Sequence, residues 1–172
     1  APVDVTGTRR GRLLMAPVAL QLAKEREAGA IAELLSAAAD TLTMQYGTGH
    51  WSKLSSDRGV RWLMRIGKVY VMRERDRIIA TLTLTPRKPW AIEIDCFTDV
   101  TKAVYMLSMA VAPDRQGYGV GRACVELAVE LCRKWPANAL RLDAYDAIAG
   151  AGGFYEKCGF RSVGRIAYRN VP

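Results

Sequence analysis

Arg115-Gln116-Gly117-Tyr118-Gly119-Val120-Gly121 joins an apolar run, Val104 to Val111, that reads as a strand, to Arg122–Leu131, which reads as a helix. Strand, glycine-rich turn and helix start together make an anion site. The first N–H groups of a helix have no partner inside it, and the helix dipole places partial positive charge at the same end. Glycine removes the Cβ that would hold a phosphate away from those N–H groups. A phosphate-bearing ligand is therefore the first expectation.

Two nucleotide motifs can be tested against the spacing. A P-loop needs Lys-Ser or Lys-Thr after its last glycine, and here Arg122-Ala123 follows. The dinucleotide fingerprint is Gly-x-Gly-x-x-Gly early in a repeated βαβ unit. This chain has Gly-x-Gly-x-Gly in its last third. Gln116-Gly117-Tyr118-Gly119-Val120-Gly121 instead fits Gln/Arg-x-x-Gly-x-Gly/Ala, which resembles the acyl-CoA-binding loop of the GNAT superfamily of N-acyltransferases. A second segment, Gly152-Gly153-Phe154-Tyr155-Glu156-Lys157-Cys158-Gly159-Phe160, resembles that family's Phe/Leu-Tyr-x-Lys-x-Gly-Phe element. The resemblance is firm from Val104 to Phe160 and diffuse before it.

The resemblance implies a mixed α/β fold with a mostly antiparallel sheet, helices on both faces and a cofactor cleft where two strands splay apart. It implies acetyl-CoA as cosubstrate, a primary amine as acceptor, and direct transfer in a ternary complex. The backbone of Met109, Ala110 and Val111 would meet the pantetheine arm. Gln116, Gly117, Tyr118, Gly119, Val120, Gly121 and Arg122 would receive the pyrophosphate. Asp146 stands where the family often has an Asn contacting the cofactor. Tyr155 stands at the position of the general acid that meets the sulfur; a phenol with pKa near 10 can donate to a thiolate.

The remaining roles follow from chemistry. An amine protonated at neutral pH must lose a proton before it attacks. Glu93 and Asp95, two apart, would share one face of a strand and are the first candidates for the base. Asp143 and Tyr145 alternate in the same way and are alternatives. An N–H on the splayed strand can polarise the thioester carbonyl, with Val111 as candidate. His50-Trp51 and Trp90 are candidate acceptor-site aromatics.

Along the chain, strands are expected at 18–22, 69–73, 78–85, 104–111 and 140–145, with a last strand or hairpin at 160–170. Helices are expected at 25–40, 57–66, 119–134 and 149–158. Pro86 and Pro89 open a long connection up to about residue 103. Residues 1–12 read as a flexible leader and 13–172 as a single domain.

Half of the 172 residues are hydrophobic, which excludes a disordered chain, and no apolar run approaches a membrane span. Cys96, Cys124, Cys132 and Cys158 show no CxxC pair or metal spacing, and one histidine, His50, is present. No metal and a reducing cytoplasm are the expectations. The net charge of +8 is scattered, with no five-residue basic block. A polyanionic cosubstrate accounts for it as well as nucleic acid does, and no nucleic-acid motif accompanies it. A non-catalytic acyl-CoA-binding module and an acyltransferase acting on an aminoacyl-tRNA amine stay open as alternatives, as does a homodimer.

Overall fold

A computed structural model describes residues 19–166 except 91 and 93. The five strands are β1 (Leu20–Leu22), β2 (Lys68–Glu74), β3 (Arg77–Thr85), β4 (Ala103–Val111) and β5 (Ala139–Arg141). They lie in sequence order in one sheet. The first four are antiparallel and β5 joins β4 in parallel. The helices are α1 (Ala28–Tyr46), α2 (Asp57–Ile66), α3 (Val120–Lys134) and α4 (Gly152–Lys157).

Side-chain alternation along β2 divides the interior in two. Val69 and Val71 point to one face, where they meet Ala28, Ile31 and Ala32 of α1 and Val60 and Leu63 of α2. Tyr70 and Met72 point to the other, where they join Leu82 and Leu84 of β3 and Cys124, Val125 and Ala128 of α3. The sheet therefore carries α1 and α2 on one side and α3 on the other. The buried threonines of β3 are satisfied: Thr81 donates to the Tyr70 carbonyl (3.0 Å) and Thr85 to that of Ile66 (2.7 Å). Ser56 caps α2 by accepting from the Gly59 N–H (3.1 Å).

The expected mixed α/β architecture is the one observed, with changes at element ends. The first helix begins with a 3-10 turn at Glu25–Glu27 and runs past Asp40 to Tyr46. The connection after β3 contains a 3-10 turn, Ile94–Cys96, so Asp95 does not lie on a strand. A strand demands a neighbour, and β4 already fills the edge of β3. The strand expected at 140–145 ends at Arg141, because β5 stops pairing there. The expected last helix is shorter, Gly152–Lys157. Residues 160–166 form no strand; 167–170, the leader 1–12 and Glu93 lie outside the described residues. No described helix is long and apolar enough to cross a membrane.

Candidate active site

The cleft arises from a parallel pairing that stops early. Ala103 pairs with Ala139, Val104 with Leu140 and Tyr105 with Arg141, and then contact ends while β4 continues to Val111. Between Leu107 and Ala110 the register against β3 slips by one residue, a β-bulge. Ser108 takes the left-handed conformation there, with φ 49°. A bulge adds an unpaired residue and increases local twist, which swings the end of β4 away from β5. A non-glycine residue held in this region stores strain and often marks a functional site. Sequence reading missed it, since serine carries no strong left-handed signal.

Beyond the bulge the hydrogen-bond alternation can be followed residue by residue. Ala112 N–H donates to Ile79 O (2.8 Å), which makes that pair the bonded one. Val111, opposite Ala80, is the next position and is non-bonded, so its N–H and C=O point away from β3 into the opening. Its carbonyl accepts from Gln116 Nε2 (3.1 Å), fixing the loop to the strand end. Ala110, opposite Thr81, turns its backbone toward β3 instead.

The three loop glycines do two different jobs. Gly117 and Gly119 have φ of 79° and 83°, and a Cβ added at either would meet nothing within 4 Å. They are there for conformation and for open space above the helix start. At Gly121 a Cβ would lie 3.2 Å from Phe154, so this glycine lets the second motif pack on the first turn of α3. Val120 is buried and pins the loop, whereas Tyr118 is exposed. The first helical bond runs from Ala123 N–H to Gly119 O, leaving the N–H groups of Val120, Gly121 and Arg122 outside the helix ladder. This donor set fits a pyrophosphate.

The two arginines of the loop differ. Arg115 is held by Glu74 and by Asp114 (3.0 Å), so its charge is turned away from the loop. The Arg115 guanidinium in turn keeps the Glu74 carboxyl below the usual range. Arg122 donates to the Lys157 carbonyl (3.1 Å), linking the start of α3 to the end of α4.

Tyr155 reaches across from α4. Its hydroxyl lies 3.6 Å from the Met109 sulfur on the diverging part of β4, and its ring packs edge-on against Phe154 and Phe160. Burial, then the charges of Asp143 and Cys158, push its pKa up to about 12. Asp143, Asp146, Tyr145, His50 and Trp51 line, together with Tyr155, a cavity of about 1070 Å³ on the β5 side of the opening. His50 and Tyr145 are stacked (6.0 Å between centroids), and Tyr145 Oη donates to the His50 carbonyl (3.1 Å). The connection between α1 and α2 is thereby stitched over the segment after β5. Asp146 makes an exposed ion pair with Arg165 (3.3 Å).

The other candidates fall elsewhere. Asp95 lines a second cavity that adjoins the first at Phe97, Val100 and Arg141 and does not include Tyr155. Trp90 is 77% exposed and lines neither cavity. Burial pushes the thiol of Cys124 up to about 12 and that of Cys132 up to about 11, so neither is a thiolate at neutral pH. A disulfide-exchange reagent at pH 7.5 is expected to label at most Cys96 and Cys158, which are partly exposed, until the protein is unfolded. Rapid labelling of Cys124 in the folded protein would contradict the packing under α3.

Comparison with known proteins agrees with this geometry. A sequence profile of the Acetyltransferase (GNAT) family matches residues 31–160. No curated protein matches the sequence. Among solved structures, glucosamine-6-phosphate N-acetyltransferase from Arabidopsis thaliana is similar at 18% identity and TM-score 0.59, covering 91% of this chain and 100% of that one. An aminoglycoside acetyltransferase from an uncultured soil metagenomic sample is similar at 18% identity and TM-score 0.62, covering 91% and 99%. An aminoglycoside 6'-N-acetyltransferase from Acinetobacter haemolyticus is similar at 13% identity and TM-score 0.64, covering 89% and 97%. At such identities the likeness is one of fold. With the profile spanning both glycine loop and tyrosine segment, the chain belongs to the GNAT family of acetyltransferases.

Proposed function

We propose that this acetyltransferase moves an acetyl group from acetyl-CoA to a primary amine by direct transfer, with both substrates in the cleft between β4 and β5. The observation that carries the reading is Tyr155. Its hydroxyl is aimed at the open stretch of β4, and its pKa is raised so that it stays protonated. Bound acetyl-CoA supplies the acetyl group as an activated thioester.

The chain's own groups divide the work. The N–H groups of Val120, Gly121 and Arg122 hold the pyrophosphate, with Gln116, Gly117, Tyr118 and Gly119 shaping the cradle. The N–H of Val111 points into the opening and offers a hydrogen bond to the carbonyl oxygen of the acetyl group. Met109 forms the strand wall that the sulfur passes. Ala110 holds that wall to β3, and Asp146 lies at its margin. Tyr155 gives its proton to the departing sulfur as the carbon–sulfur bond breaks and the carbon–nitrogen bond forms. Asp143 takes the proton released by the amine. It lines the cavity that Tyr155 lines, whereas Asp95 lines the adjoining one.

The aromatic faces of His50, Trp51 and Tyr145 beside two carboxylates suit a polar amine. The three structural neighbours named above are glucosamine-6-phosphate and aminoglycoside acetyltransferases, so glucosamine 6-phosphate and aminoglycosides lead the panel, followed by amino acids and peptides. The test is CoA thiol release from acetyl-CoA with each amine, with products identified by mass spectrometry. An acetylated amine whose formation depends on Asp143 supports the reading. Tight CoA binding with no amine turned over would make the chain a non-catalytic acyl-CoA-binding module.

A further inference from the structure

A second cavity, about 1300 Å³, lies by the start of β4, adjoins the Tyr155 cavity at Phe97, Val100 and Arg141, and takes its walls from α2, β2, the connection before β4, the end of α3 and β5. Six cationic residues line it (Arg65, Lys68, Lys88, Lys102, Lys134 and Arg141), against Asp95 and Asp99. None of the six belongs to an ion pair among the described residues. Arg115 of the glycine loop behaves differently, since it is tied to carboxylates.

Arg141 is the strongest sign. It is only 9% exposed, yet among the described residues its guanidinium meets no carboxylate. It donates to Tyr105 Oη (3.3 Å) and to the Thr98 carbonyl (2.7 Å), and lies 4.7 Å over the Phe97 ring. No fully buried side-chain nitrogen in the described residues lacks a partner. Nε of Arg141 makes no hydrogen bond, so it keeps access to open space. A buried cation without a counter-charge is costly unless a ligand supplies one. The partial negative charges at the ends of α3 and α2 account for Lys134 and Arg65, but not for Lys68, Lys102 or Arg141. The α3 carbonyls of Leu131 and Cys132 already accept from Trp135 N–H.

We propose that this cavity binds a small polyanion of the phosphate class, at a site separate from the pyrophosphate cradle. Arg141 forms its floor, and Arg65, Lys68, Lys102 and Lys134 its rim.

Inorganic tripolyphosphate is titrated calorimetrically into the protein saturated with CoA, so that the cradle is filled. Two variants are compared, each lacking three positive charges. One is Arg65→Gln/Lys102→Gln/Lys134→Gln; the other is Arg26→Gln/Lys53→Gln/Arg58→Gln, whose residues are exposed and outside the cavity. Among the described residues the side chains of Arg65, Lys102 and Lys134 belong to no ion pair. The expected result is one ion per chain, bound about tenfold or more weakly by the rim variant and almost unchanged in the other. No binding, several ions per chain, or equal loss in both variants would overturn the proposal, the last by showing a response to net charge alone.

Discussion

Tyr155→Phe is expected to lower kcat about 10²- to 10⁴-fold, the usual contribution of a positioned general acid, while leaving the KM for acetyl-CoA nearly unchanged. The substitution removes one oxygen and keeps the ring that packs on Phe154 and Phe160. Among the described residues its hydroxyl hydrogen-bonds only to the Met109 sulfur, a weak acceptor, so stability should change by less than about 1 kcal/mol. An unchanged kcat would reduce Tyr155 to a packed aromatic. The raised pKa also fixes the direction of a pH effect. Tyr155 binds its proton more tightly when folded, so its contribution to stability is complete below the unfolded tyrosine value, about 10. That contribution is lost as the pH rises toward about 12. Chemical denaturation from pH 9 to 12 should show a decline in the wild type that Tyr155→Phe lacks.

The second large effect is expected at the loop. Gly119→Val forces a β-branched residue to φ 83°, a conformation that costs about 1–3 kcal/mol or makes the loop move. The new Cβ meets no protein atom within 4 Å, so the damage falls on backbone direction and on the space the pyrophosphate needs. CoA affinity measured by calorimetry should fall roughly tenfold to a hundredfold. Gly121→Ala should act differently. Its Cβ, 3.2 Å from Phe154, disturbs packing between the two motifs and should lower the melting temperature more than it lowers CoA affinity. Wild-type CoA binding by Gly119→Val would remove the loop from the cofactor site.

Those two glycines show where sequence reading succeeds and where it stops. The strand, loop and helix from Val104 onward were legible because short-range rules decide them: apolar periodicity, then glycine, then a helical stripe. The same rules found Asp57–Ile66 to the residue. That Gly121 is a packing glycine was hidden, because the neighbour that requires it is Phe154, far along the chain. Asp95 went astray for a related reason. Two carboxylates two apart suggest a strand face only if a strand exists, and strand formation depends on a neighbour that sequence does not name. Arg141 looked like one arginine in an alternating strand. Its burial depends on Tyr105, Thr98 and Phe97 closing around it.

The early end of the pairing between β4 and β5 has a practical side. Past Tyr105, β4 keeps a length of strand whose outward edge no other strand among the described residues covers. Natural proteins hide such edges because they recruit strands from other chains. Here the edge must remain uncovered for a ligand to use it, so the ligand-free protein carries a self-association hazard in its interior cleft. Light scattering during storage should therefore rise faster without CoA than with it. A cosubstrate added for assays would also serve as the preservative of the preparation.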